Sequence, residues 1–221
     1  MCGRFTLYDQ IKAIHKRFGI DVSKIDEAMP SFNIAPSQSL ITIINDGERN
    51  RLGQLRWGLI PFWAKDTKIG YKMINARAET VAEKNSFKHA FTRRRCLIPA
   101  NGFYEWKTVN GKKQPYYIQL NGEELFGFAG LWEKWTNGEE TIFSCTIITT
   151  EANEMMSDIH HRMPVILTKE EEASWLDPNI QDPNILKQLL VPFESKEMHA
   201  YPVSTDVNSS KNNHGGLLHE L

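Results

Sequence analysis

Apolar residues recur along the chain in two periods. Leu7, Ile11, Ile14 and Phe18 fall at i, i+4, i+7 and i+11, which predicts an early amphipathic helix. Beyond it the pattern shortens to strand-like runs. Leu40–Asn45 leads through Asp46-Gly47 into Leu52–Ile60, a predicted hairpin. Between Ala76 and Arg95 the period turns helical, with Phe87, Ala90 and Phe91 on one face. Then Asn110-Gly111, Asn121-Gly122 and Asn137-Gly138 punctuate the runs Cys96–Lys107, Pro115–Leu120, Leu125–Trp135 and Thr141–Thr150. Such dipeptides accept the positive φ of tight hairpin turns, so these runs predict an antiparallel meander. Thr150 and Thr168 are placed to cap short helices ending near Asp158 and Trp175, and Met163–Leu167 and His199–Val203 predict further strands. Strands grouped together with helices outside them imply an α+β fold, a single domain with a twisted, barrel-like antiparallel sheet core and peripheral helices. Residues 1–206 form that domain in this reading. Residues 207–221, rich in Asn, Ser, Lys and Gly, form a loosely held tail.

Composition narrows the picture. The 221 residues are 41% hydrophobic and 24% charged, as in globular chains, and are enough to bury a core without disulfides or metals. The cysteines, at positions 2, 96 and 145, show no paired spacing, which predicts a reducing, cytoplasmic setting. No long apolar stretch follows the first residues, so neither a signal peptide nor a membrane span is expected. The net charge of −1 hides an asymmetry: residues 1–55 carry +1, residues 56–113 carry +9 and residues 114–221 carry −11. The basic block is interleaved with Trp57, Phe62, Trp63, Tyr71, Phe103, Tyr104 and Trp106. Cations that follow phosphates and rings that stack on bases are what a single-strand groove needs. The plainer alternative makes Arg93, Arg94 and Arg95 a solvated helix end and the aromatics core.

Cys2 carries the most chemistry. Removal of Met1 would leave a terminal cysteine with an amine and a thiol on adjacent carbons, and both have reactive forms near neutral pH. An aldehyde condenses with such an amine to an imine, and the thiol then closes a five-membered thiazolidine. The alternative is a buried structural thiol. Asn75 and Arg77, at i and i+2, share a face if their stretch is extended. Glu105 lies among aromatics in Gly-Phe-Tyr-Glu-Trp, where burial would raise its pKa and suit it to moving protons. His160 and Arg162 are again at i and i+2. Each has a structural alternative: an ion pair for Glu105, a helix cap for His160, a surface charge for Arg77. His160, His161 and His199 lack partners at metal-ligand spacing, so no metal is expected. No Gly-rich phosphate loop or Gly-x-Ser-x-Gly elbow is present, so no nucleotide cofactor or serine-hydrolase chemistry is expected.

Taken together, Met1-Cys2-Gly3-Arg4-Phe5, Asn33-Ile34-Ala35-Pro36, Trp57-Gly58-Leu59-Ile60-Pro61, Asn75-Ala76-Arg77-Ala78-Glu79-Thr80, Gly102-Phe103-Tyr104-Glu105-Trp106 and His160-His161-Arg162-Met163-Pro164 resemble the SRAP (SOS response-associated peptidase) family. Cys96–Ala100, Ala129–Trp132 and Thr146–Thr150 extend the resemblance over nearly the whole chain. It implies binding to single-stranded DNA that contains an abasic site, and crosslinking to it through Cys2 as a thiazolidine. By position, Glu105 would be the acid/base group and His160 would assist proton transfer. Asn75 would hold the N-terminal residue or the opened sugar. Arg4, Arg77 and Arg162 would contact phosphates, and Trp106 would stack on a base. The reading is of a monomeric, cofactor-free protein, cytoplasmic and nucleoid-associated when bound to DNA. It admits abasic-site lyase activity as a side branch. Two other classes compete: an N-terminal-nucleophile peptidase using the same Cys2, and a non-catalytic single-strand binding module.

Overall fold

The computed structural model describes residues 2–20, 22, 23, 25, 29–122 and 125–221, with residues 22 and 23 described by backbone alone. In chain order the strands and helices are β1 (Phe5–Leu7), α1 (Ile11–Phe18), β2 (Val22–Ser23), β3 (Ser31–Ile34), β4 (Ser39–Asn45), β5 (Asn50–Trp57), β6 (Asn75–Arg77) and α2 (Lys88–Arg93). They continue with β7 (Arg95–Ala100), β8 (Gly102–Val109), β9 (Lys112–Leu120), β10 (Phe126–Thr136), β11 (Thr141–Glu151) and α3 (Glu154–Ser157). The chain ends with β12 (Arg162–Pro164), β13 (Ile166–Leu167), α4 (Lys169–Leu176), α5 (Pro183–Gln188) and β14 (Met198–Pro202). No helix among the described residues is long and apolar enough to cross a membrane.

Among the described residues, five strands close on themselves. β11 pairs β10, β10 pairs β7, β7 pairs β4 and β4 pairs β5, all antiparallel; β5 then returns to β11 in parallel, Ser144 opposite Arg56 and Cys145 opposite Trp57. This is the barrel-like core the pattern predicted. A second sheet, in the order β14-β9-β8-β1-β3, lies against it. The joint is aromatic. Phe5 and Phe103 from the second sheet meet Trp57 and Phe128 of the barrel edge to face, with centroids 5.3–6.0 Å apart. Such pairs add about 0.5–1.5 kcal/mol each beyond the area they bury. The consequence is positional: β1 is clamped between β8 and β3, and the residues preceding it are drawn inside.

Several predicted elements differ in the structure. Ile11, Ile14 and Phe18 do face the core from α1, but Leu7 belongs to β1. The helical stretch 76–95 shrinks to α2, because Asn75–Arg77 is claimed by a parallel pairing with Ile147–Thr149 of β11. The run Cys96–Lys107 is two strands in different sheets. Asn101 breaks it, its side chain accepting from the Tyr8 N–H at 2.8 Å and donating to Asp9 at 2.6 Å. At Gly102 the Tyr117 ring lies where a side chain would go, so β8 departs there without a Cβ. The meander is interrupted as well: β9 takes β14 as its neighbour rather than β10. Asn153, not Thr150, caps α3, whereas Thr168 caps α4 in a full capping box with Glu171.

Residues 207–221, expected to be loosely held, are anchored at several points. Val207 and Leu217 are buried, and the Leu221 N–H donates to Pro202 at 3.1 Å. The Asn33 amide donates to the carbonyls of Val207, Ser209 and Asn212 at 2.8–3.3 Å.

Candidate active site

Cys2 is fully buried, which is unusual for a residue so near a chain end. The pairing of β1 with β8 explains it. Phe5 opposes Phe103, and the Tyr104 N–H donates to the Arg4 carbonyl at 2.9 Å, so the N-terminal residues run along the part of β8 that holds Glu105. Burial pushes the Cys2 thiol well above its ordinary pKa, and the negative charge of Glu105 adds to the effect. Thiol and carboxylate therefore share one electrostatic environment.

Glu105 is 2% exposed and opposes Tyr116 across the β8–β9 hairpin. Burial raises its pKa, as its position among aromatics implied, while the charge of Lys113 works the other way. His160 follows α3. Its Nδ1 lies 3.0 Å from the Arg162 backbone nitrogen, whose N–H it can accept, and 3.2 Å from the Arg162 carbonyl, so the segment itself holds the ring. Burial, together with the charges of His161 and Lys113, lowers its pKa to about 4. The charge of Lys113 thus reaches both Glu105 and His160.

Asn75, Arg77 and Arg162 gather around the C-terminal half of β11. In β6, Asn75 lies opposite Ile147 and Arg77 opposite Thr149; on the other side of β11, Arg162 of β12 lies opposite Glu151. β6 can reach this edge because Gly58 turns the chain out of β5 at φ +123, where its missing Cβ lets the Gly70 carbonyl pass. Both side-chain polar atoms of Asn75 are buried and have no hydrogen-bond partner among the described residues. Arg77 is exposed. Trp106 is half-buried, and its indole N–H donates to Asn208 Oδ1 at 2.7 Å, which fixes the plane of the ring.

Two of the expected phosphate ligands are already engaged. Arg4 Nη1 donates to Asn33 Oδ1 and to the Val207 carbonyl, both at 2.7 Å, so it ties the N-terminal segment to the tail. Arg162 is forked onto Glu79. Sequence reasoning missed Glu79, although it sits two residues beyond Arg77 in the same motif. It also missed Asn208, which carries no local signal. The basic block divides too. Trp57, Phe103 and Tyr104 are core, while Phe62, Trp63 and Tyr71 are exposed. Arg95 is buried and donates to four carbonyls.

The sequence profile of the "SOS response associated peptidase (SRAP)" family matches residues 1–210. The chain belongs to the SRAP family. It is 56% identical over 221 residues to the "Abasic site processing protein YoqW" of Bacillus subtilis (strain 168), with 99% of each chain covered. It is 36% identical over 220 residues to the "Abasic site processing protein HMCES" of Xenopus tropicalis, covering 85% of this chain and 65% of that one. A crystal structure of a protein from Bacteroides thetaiotaomicron superposes with a TM-score of 0.91 at 28% identity, over 100% of both chains. The SRAP profile runs past residue 206, so the family's domain includes the segment carrying Val207 and Asn208.

Proposed function

We propose that this SRAP protein processes abasic sites in single-stranded DNA by capturing the lesion covalently on Cys2. The observation that carries the reading is a fully buried Cys2 thiol within the field of a buried, pKa-raised Glu105, in a chain 56% identical to an abasic site processing protein. The reaction requires removal of Met1, which lies outside the described residues.

The abasic sugar opens to its aldehyde. The Cys2 amine attacks the aldehyde carbon, and water leaves to give an imine. The sulfur then adds to the imine carbon, its proton passing to the nitrogen, so the net change is the loss of one water. A thiol held protonated by burial needs a base, and Glu105 takes and returns that proton. The neutral His160 presents Nε2–H as a hydrogen-bond donor to a sugar oxygen, and Asn75 offers both its donor and its acceptor to the opened sugar. Arg77 meets phosphate, and the fixed Trp106 ring supports a base. Burial keeps water from the imine until the thiol closes on it. The imine also acidifies the neighbouring carbon, so strand cleavage by β-elimination is the competing branch. In this reading the protein acts as a monomer in the cytoplasm and on the nucleoid.

The test uses protein shown by intact mass to lack Met1, incubated with a single-stranded oligonucleotide bearing one abasic site and run on a denaturing gel. A retarded band that survives heating and disappears with Cys2→Ala is expected. A Cys2→Ala protein that still forms heat-stable adducts would sink the assignment.

A further inference from the structure

The guanidinium of Arg162 is held on two sides. From within, its Nη2 donates to the Thr149 carbonyl at 2.6 Å; from the solvent side, both terminal nitrogens fork onto the Glu79 carboxylate. The two partners are unequally exposed, Arg162 at 12% and Glu79 at 50% of the side chain. The arginine is therefore fixed in the fold, and the carboxylate is the removable half. Carboxylate and phosphate present the same pair of oxygens to a guanidinium fork.

We propose that Glu79 is a built-in stand-in for DNA phosphate: its carboxylate occupies the seat on Arg162 into which a backbone phosphate of the bound strand moves. This rests on the reading that single-stranded DNA binds at this site. Strand binding is then an exchange of one anion for another. The exchange lowers affinity for undamaged strands, leaving covalent capture of the aldehyde to decide what stays bound. Two observations favour exchange. Arg77, opposite the same Thr149 on the neighbouring strand, adds a second cation along the strand's path. Glu79 also lines a cleft of about 320 Å³, with Glu151 and with Lys187, which pairs with Glu83 at 3.8 Å, so a displaced carboxylate has room to turn.

The test measures reversible binding in a Cys2→Ala parent, across a range of salt, to a single-stranded oligonucleotide with one abasic site. Glu79→Gln is expected to tighten binding about 5–20-fold at low salt and to steepen the salt slope by about 1, since a phosphate contact no longer displaces a protein anion. In an Arg162→Gln background that gain falls below about twofold, because the seat itself is gone. Glu79→Asp, which keeps the charge but breaks the fork, gives an intermediate gain. Weaker binding by Glu79→Gln would show that Glu79 merely props up Arg162, and an equal gain with and without Arg162 would reduce it to a general charge effect; either overturns the proposal. If the parent binds no abasic strand and the Cys2 protein forms no crosslink, the functional reading fails first and takes this one with it.

Discussion

Two asparagines of this fold are treated in opposite ways. Asn33, near the C-terminal clasp, has every polar atom engaged: Oδ1 accepts from Arg4, and Nδ2 donates to three carbonyls of the tail. Asn75, beside β11, has both polar atoms buried and unpartnered among the described residues. An unsatisfied buried amide costs about 1–3 kcal/mol. A fold that satisfies Asn33 so completely has the means to satisfy Asn75. Left open, Asn75 is available to the ligand that the proposed function gives it. The same contrast separates the ionisable groups. Arg95, docking α4 on β7, gives its donors to four carbonyls and still has its pKa lowered by burial to about 10. Glu105 and His160 are held by burial in forms that resist charge, the state that the proposed proton transfers use.

That comparison can be broken at several points. The largest effect is expected at Glu105. Glu105→Gln should slow crosslinking about 100-fold, the lower range for a lost acid/base group. It should also raise the melting temperature at pH 7–8. The sign follows from the raised pKa: the fold disfavours the ionised form, so stability falls as pH rises through that pKa, and a neutral amide escapes the penalty. Thermal melts and single-turnover gels read the two effects separately. Next, Asn33→Ala should cost about 2–3 kcal/mol, because it strands Arg4 and the tail carbonyls. Denaturant unfolding checks it, and weakened DNA binding should accompany it, since the clasp carries Asn208 and hence Trp106. Asn75→Ala should do the reverse, leaving stability within about 1 kcal/mol of the parent while lowering the crosslinking rate about tenfold.

The smallest effect concerns pH. His160 titrates near 4 in the fold and near its ordinary 6.5 when unfolded. The unfolded chain therefore takes up a proton first, and stability is lost as pH falls from about 6.5 to 4. His160→Gln should flatten that part of a denaturation-midpoint profile. For the same reason, no inflection from this ring is expected in the crosslinking rate between pH 5 and 9.

Much of this was legible in the sequence where the signal is local. Thr168 announced α4, Asp46-Gly47 announced the β4–β5 hairpin, and Phe-Tyr-Glu-Trp announced a buried carboxylate. What stayed hidden depends on partners far away in the chain. β6 exists because β11 lies beside it, some seventy residues on, and no periodicity in three residues reports that. The switch of sheets at Asn101-Gly102 is invisible because apolar residues continue on both sides of it. The tail looked loose because its anchors are backbone carbonyls, which carry no side-chain signature, gripped by Asn33 on a distant strand. Arg4 and Arg162 read as free cations for the same reason: their partners, Asn33, Val207 and Glu79, are assembled only by the fold.

The central claim is that the Cys2 amine and thiol together close on the aldehyde. It is tested most directly by digesting the heated adduct and mapping its mass. The account predicts an N-terminal peptide beginning at Cys2, heavier by the abasic remnant less one water, with its thiol no longer alkylatable. An adduct that maps to a lysine, or one on Cys2 whose thiol still alkylates, would contradict it.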